Sequence, residues 1–131
     1  MRASHVFPTL VSVAALTLGG ALMAAAGQAG GTAPTNPSPN DPKSIAAGKK
    51  VYQTYCADCH GDKGKGDGME GEGMDPSPAD FTDAKQNHGT ADGDLFVVVR
   101  DGTKQGMRAF GKKLTTAQIW AVVNYVETLK K

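Results

Sequence analysis

Residues 56–60 read Cys-Ala-Asp-Cys-His, and this stretch decides how the rest of the chain is interpreted. Cys56 and Cys59 lie three positions apart, and His60 follows directly. On a helix, those spacings place the three side chains near one face. Two thiols and one imidazole can therefore approach the same flat group from one side.

Cys-x-x-Cys followed by His is the attachment signature of c-type haem, which is held by the two cysteine sulfurs while the imidazole binds the iron. Other uses of paired cysteines fit less well. A redox dithiol needs a preceding strand, whereas a helix is predicted here, and a zinc site needs four ligands. A structural disulfide between Cys56 and Cys59 is the simplest remaining alternative. The motif predicts one covalently bound haem c.

The composition fits a small domain built around a cofactor. The chain has 131 residues, which is typical of one domain. Its formal net charge is +1, so the basic excess expected of a nucleic-acid-binding protein is absent. With 17 glycines and only 6% aromatic residues, the chain has few large side chains with which to build a core. A large apolar cofactor would supply the surface that is missing.

The N-terminal part of the chain has the features of an export signal. Arg2 precedes an apolar run, residues 6–26, that ends in small residues suited to cleavage. We expect residues 1–26 to be a signal peptide or an uncleaved anchor, and the Gly- and Pro-rich residues 27–41 to be a flexible linker. The protein is then exported and periplasmic, with residues 42–131 as its domain. Membrane contact is expected only if the N-terminal segment is retained.

Helix signals divide the domain into three main helices joined by long loops. Asp41, followed by proline, predicts the start of a first helix that runs to the cysteines. The second is predicted over residues 93–100. Thr115 and Gln118 form a capping box ahead of the third, whose apolar residues recur at helical spacing. Six glycines among residues 61–74 predict a loop without regular structure, and few strands are expected.

Several motifs together resemble class I cytochromes c, especially the single-haem domains of bacterial mono- and di-haem cytochromes. The matching stretches are GKKVY at 48–52, CADCHG at 56–61, GKGDG at 64–68, DGDLFVVVRDG at 92–102, GMRAFGKKLT at 106–115 and IWAVVNYV at 119–126. The resemblance spans about residues 44–130. It implies an all-α cytochrome c fold, with three main helices and long Gly/Pro loops around one covalent haem.

The resemblance also implies that a methionine binds the iron opposite the histidine. In the family this ligand lies in a Gly-x-Met-Pro-x-Phe-like loop, and the matching residue here is Met107. The residues alone leave Met69 and Met74 as further candidates, because all three methionines lie in predicted loops. His88, in a polar turn, is a weaker rival. Arg108 stands where the family usually has proline, so the loop lacks a residue that would fix its backbone.

Two further contacts follow from the resemblance. Gly48 and Tyr52 match the positions at which the first helix crosses the last. Their expected partners on the last helix are Val122, Tyr125 and Val126. A carbonyl of Pro76 or Pro78 is expected to accept a hydrogen bond from the His60 ring and so orient it.

Filled axial positions predict a one-electron carrier rather than an enzyme. With His60 and Met107 both bound, the iron exchanges electrons but offers no open site to a substrate. The expected function is to shuttle electrons between respiratory or dehydrogenase partners. Two alternatives stay open. If Met107 does not bind, the protein is a five-coordinate haem enzyme or gas sensor. It could also be a tethered electron-transfer subunit of a larger oxidoreductase, with the same chemistry.

Basic residues crowd around the loop that contains the methionine. We expect them to guide redox protein partners to the haem edge, although a solvated basic face without a partner is the simpler alternative. They are Arg100, Lys104, Arg108, Lys112 and Lys113.

Overall fold

The computed structural model describes residues 33–83 and 91–131, and the regular secondary structure of these residues is entirely helical. The helices are α1 (Pro42–Tyr55), α2 (Ala57–His60), α3 (Asp92–Asp101) and α4 (Thr116–Glu127), with one 3₁₀ turn at Met69–Gly71. The predicted all-α fold is confirmed, and α1, α3 and α4 are its three main helices. Across the described residues, none of these helices is long and apolar enough to cross a membrane.

The predicted starts of the first and last helices are confirmed by their caps. The Asp41 carboxylate accepts hydrogen bonds from the backbone N–H groups of Lys43 and Ser44, each at 3.2 Å. At α4, the Thr115 hydroxyl accepts from the Gln118 N–H at 3.2 Å, and the Gln118 side chain accepts from the Thr115 N–H at 2.9 Å. Both caps satisfy N–H groups that have no partner within the helix.

The predicted run of the first helix up to the cysteines is confirmed, since α1 ends at Tyr55, and a second short helix, α2, follows directly after Cys56. The Cys56 N–H still donates to the Tyr52 carbonyl at 2.8 Å, and the Cys56 carbonyl accepts from the His60 N–H at 2.9 Å. The cysteine thus ends one helix and begins the next. Within residues 61–74, the prediction of no regular structure is wrong at the 3₁₀ turn. That turn forms because the Gly71 N–H donates to the Gly68 carbonyl at 2.9 Å.

Helices α1 and α4 cross at a glycine. A Cβ added at Gly48 would overlap the Ala121 carbonyl and would lie 3.0 Å from the Tyr125 Cβ. One turn later Tyr52 is fully buried, with its ring centroid 5.2 Å from that of Tyr125. The helix crossing that the resemblance implied at Gly48 and Tyr52 is confirmed. The core continues from this crossing through Val51, Leu95, Phe96, Phe110, Leu114, Ile119, Trp120, Val122, Val123 and Val126.

Residues 33–41 lie against α3 and α4, although a flexible linker was predicted for residues 27–41. The Asn36 side-chain amide donates to the Asp92 carboxylate at 2.7 Å and to the Asn124 side-chain oxygen at 2.6 Å. The amide of Asn124, which is 4% exposed, donates in turn to the Ser38 carbonyl at 2.9 Å. These bonds connect the segment to α4 across more than eighty residues of sequence.

Candidate haem-binding cleft

A cleft of about 960 Å³ opens between the end of α1, α3, α4 and the loops that connect them. Cys56, Cys59, His60 and Met107 all line it. Its apolar lining comes mainly from α3 and α4, through Leu95, Val98, Val99, Val122, Val123 and Val126. The volume is at the upper end of the range for small-molecule sites, and the mixture of apolar walls with a few polar groups is typical of them.

The glycine-rich segment holds the short helix α2 in place. Its backbone N–H groups satisfy the carbonyls at the end of α2: Gly66 donates to His60 at 2.8 Å, and Gly68 donates to Cys59 at 3.2 Å. Gly61 ends the helix with φ of 78°, and a Cβ there would overlap the Asp67 carboxylate. Glycine is therefore needed at position 61 for both its backbone conformation and the close approach.

The ring of His60 is oriented by backbone and by an aromatic neighbour. Its Nδ1 lies 3.2 Å from the Ala79 carbonyl, and its ring stacks on Phe81 at a centroid distance of 4.6 Å. An Nδ1–H donated to this carbonyl leaves the Nε2 lone pair for a metal.

The predicted acceptor, the carbonyl of Pro76 or Pro78, is wrong, because Ala79 takes that role. The N–H of Phe81 donates to the Gly64 carbonyl at 2.6 Å, which ties this segment to the glycine-rich loop. The bond lies two residues after Ala79, whose carbonyl faces the imidazole.

Cys56 and Cys59 are partly buried free thiols in the structure, and no disulfide joins them. Burial, with a smaller contribution from the neighbouring Cys59, raises the pKa of the Cys56 thiol to about 12. In the unloaded chain this thiol stays protonated at neutral pH. Thioether formation removes the titratable proton, so this property belongs to the chain before attachment.

The three candidate methionines occupy different environments. Met69 is 88% exposed and does not line the cleft, whereas Met74 and Met107 both do. The Met74 methyl lies 3.3 Å from the position that a Cβ on Gly106 would take, so it packs beside the loop that contains Met107. The structure thus brings Met107 and Met74 to the cleft with Cys56, Cys59 and His60. His88 lies outside the described residues.

Two basic residues of the predicted docking surface line the cleft itself, namely Arg108 and Lys113. The Lys113 ammonium lies 4.8 Å from the centroid of the Tyr55 ring. The Arg100 guanidinium instead forms an ion pair with Asp101 at 2.7 Å. This pairing raises the pKa of Arg100 and lowers that of Asp101, and it balances the charge of the arginine.

Comparison with known proteins places these features in a family. Residues 43–126 match the model of a family described as cytochrome c oxidase, cbb3-type, subunit III. The cbb3-type cytochrome c oxidase subunit CcoP of Azospirillum sp. (strain B510) is 34% identical over 92 residues, which cover 68% of this chain and 30% of that protein. The chain therefore spans less than a third of the length of this curated relative.

Two solved structures share the fold. One belongs to the reducing HAO-like protein complex of Kuenenia stuttgartiensis, with a TM-score of 0.62 and 29% identity over 77% of this chain and 48% of that one. The other is the c-type cytochrome KustC0563, with a TM-score of 0.57 and 33% identity over 64% of this chain and 98% of that one.

The cleft fits the cofactor that these relatives imply. The imidazole and the methionine thioethers are donors that suit haem iron, and the two cysteine thiols suit covalent attachment to the haem. The apolar walls suit a flat macrocycle. The chain belongs to the cbb3-type cytochrome c oxidase subunit III family, and it is an all-α c-type cytochrome domain whose cleft binds haem c covalently.

Proposed function

We propose that this chain carries single electrons on one haem c attached through Cys56 and Cys59, with His60 and Met107 as axial ligands. The observation that supports this assignment is the shared cleft, which all four side chains line. The bound haem supplies a one-electron ferric–ferrous couple. The chain supplies two neutral ligands, a mostly apolar enclosure and a fixed imidazole. Methionine ligation and burial both favour a raised reduction potential.

The same arrangement favours a carrier over an enzyme or gas sensor. An iron that binds small molecules needs an open axial position, and two thioethers, those of Met107 and Met74, are available on the cleft. Thioether sulfur is a soft, neutral donor that suits haem iron. A carrier with both positions filled carries out no chemistry on a substrate, so we assign no catalytic residue.

The ligand assignment is tested with three matched variants of the haem-loaded protein: Met107→Leu, Met74→Leu and Met69→Leu. Leucine keeps an apolar side chain of similar volume but removes the sulfur. We expect Met107→Leu alone to abolish the sulfur-to-iron charge-transfer band of the ferric protein and to let the ferrous protein bind carbon monoxide readily. If Met74→Leu does so instead, the axial ligand is Met74. If the unaltered protein already lacks the band and binds carbon monoxide, the five-coordinate alternative is correct.

We further propose that redox protein partners dock beside the cleft, guided by the basic residues around the methionine loop. Arg108 and Lys113 line the cleft, and Lys104 and Lys112 are exposed near them in the sequence. Such charges raise association rates with an acidic surface, while the small interfaces of redox encounters keep the complex short-lived.

This docking surface is tested by the oxidation of the reduced protein with hexacyanoferrate(III), a small anion. The rate should fall as ionic strength rises. Lys113→Gln should lower both the rate and its salt dependence. Lys49→Gln changes an exposed charge on α1 that is not part of the cleft, and it should leave both unchanged. Equal effects of the two variants would show that only the net charge matters.

The protein is proposed to be exported and periplasmic, with residues 1–26 as a signal peptide or an anchor, residues 27–41 as a connecting segment and residues 42–131 as the haem domain. Membership of an oxidase-subunit family supports a tethered electron-transfer subunit as well as a free carrier. The mass of the mature protein distinguishes the two. A mass that includes residues 1–26 supports the tethered form, and a mass that lacks them supports the free carrier.

A further inference from the structure

The backbone on either side of Met107 has little covalent restraint. Gly106, which precedes it, has φ of 115°, a conformation open mainly to glycine. Arg108, which follows it, has a rotatable φ, unlike proline. The position of the thioether therefore depends on non-covalent contacts made by the loop.

Both backbone polar groups of Met107 are bonded by one residue, Thr103. The Met107 N–H donates to the Thr103 hydroxyl at 3.1 Å, and the Met107 carbonyl accepts from the Thr103 N–H at 2.9 Å. Together the two bonds close a short loop of five residues, 103–107. The first of them depends on the threonine side chain, so a substitution can remove it without altering the backbone.

Thr103 lies two positions after the end of α3, and the residues that follow Met107 are bonded to that helix. The Phe110 N–H donates to the Val99 carbonyl at 3.0 Å, and the Gly111 N–H donates to the Arg100 carbonyl at 2.9 Å. Gly102 allows the two sides of this loop to approach closely, because a Cβ there would lie 2.9 Å from the Ala109 nitrogen. The base of the loop is thus held on a packed helix, and Thr103 connects that base to Met107.

We propose that Thr103 is a positioning residue for Met107: its hydroxyl holds the Met107 N–H and thereby fixes how the thioether enters the cleft. The proposal rests on the assignment of Met107 as the axial ligand. Thr103 also lines the cleft, so its hydroxyl bond is partly shielded from water. The β-branched side chain has few χ1 rotamers, which favours a fixed direction for the hydroxyl.

The test compares Thr103→Val, Thr103→Ser and Thr128→Val in the haem-loaded protein. Valine matches threonine in shape but has no hydroxyl, and serine restores the hydroxyl. Thr128 also makes a hydroxyl–backbone bond, to the Tyr125 carbonyl at 2.6 Å, but lies at the end of α4 and does not line the cleft. The measured quantities are the concentration of added imidazole that removes half of the ferric sulfur-to-iron band and the urea midpoint of unfolding.

We expect Thr103→Val to lower the half-removal concentration of imidazole roughly three- to tenfold, which is the effect of one lost hydrogen bond. Thr103→Ser should return it close to the original value, and Thr128→Val should leave it unchanged. An unchanged imidazole competition in Thr103→Val would overturn the proposal, even if the urea midpoint falls, because the hydroxyl would then serve stability alone.

Failure of the underlying ligand assignment has a different signature. In that case Met107→Leu keeps the sulfur-to-iron band, and the positioning role of Thr103 is overturned together with the assignment. If Met107→Leu abolishes the band while Thr103→Val leaves the competition unchanged, only the role of Thr103 is wrong.

Discussion

Replacement of Gly48 by alanine tests how closely α1 and α4 approach at their crossing. The substitution should raise the free energy of unfolding if helix propensity alone matters, and it should lower it if the two helices are in close contact. In the interior of a helix, alanine is more favourable than glycine by about 1 kcal/mol. Here, however, the new Cβ would overlap the Ala121 carbonyl and lie 3.0 Å from the Tyr125 Cβ. A backbone carbonyl cannot rotate away, so the cost should reach the upper part of the overpacking range, about 3 kcal/mol. We expect a net loss of about 2 kcal/mol in the free energy of unfolding.

The assay is urea and thermal unfolding of the haem-loaded protein, followed by far-ultraviolet circular dichroism. For a domain of this size the loss corresponds to a fall of about 10 °C in the melting temperature. The matched control is Ala47→Gly at the neighbouring exposed position of α1, which should cost about 1 kcal/mol through helix propensity alone. If Gly48→Ala proves as stable as the unaltered protein, or more so, the close approach of the two helices does not limit stability and the reasoning fails.

Three further predictions concern the hydrogen bonds of single side chains. The Tyr52 hydroxyl donates to the Gly61 carbonyl at 2.7 Å, and that carbonyl also accepts from a backbone N–H group. Tyr52→Phe should therefore lower the free energy of unfolding in urea by only about 1 kcal/mol. A loss of several kcal/mol would contradict this. Thr115→Ala removes the cap of α4 and should cost about 1 kcal/mol in the same assay, and no loss would mean that the cap is dispensable. Hydrogen bonds from the Thr82 hydroxyl and N–H lower the pKa of Asp80, so this stabilisation is complete above the unfolded-state pKa and is lost as the pH falls through the folded-state value. Asp80→Asn should therefore weaken the fall of the thermal midpoint below about pH 4, and an unchanged pH profile would exclude the effect.

The features that sequence predicted well are those fixed by neighbouring residues. The caps at Asp41 and Thr115 depend on side chains within three positions of the N–H groups they bind, and both are confirmed. The motif at residues 56–60 carries its chemistry within five positions, so its cofactor could be inferred directly. Gly48 was placed by resemblance, and its packing confirms the placement. Met107 as the axial ligand stays a prediction.

The features that sequence missed depend on how distant segments fold back. The acceptor for the His60 ring is a backbone carbonyl, which every residue possesses, and it belongs to Ala79 in a segment that a bond between Phe81 and Gly64 ties to the glycine-rich loop. No side chain marks that choice. Thr103 offered a weak signal, because a hydroxyl residue four positions before a loop methionine can reach its N–H group.

The bonds of Asn36 also decide where a self-sufficient fragment of this protein can begin. A recombinant fragment that starts at residue 42, the predicted edge of the domain, would lack the groups that satisfy the nearly inaccessible Asn124 side chain. Only the Ser44 hydroxyl, 2.8 Å from the Asn124 amide, would remain. An unsatisfied buried polar group costs about 1–3 kcal/mol. A fragment meant for haem loading or domain fusion should therefore start before residue 33, so that residues 33–41, ahead of α1, are produced as part of the haem domain.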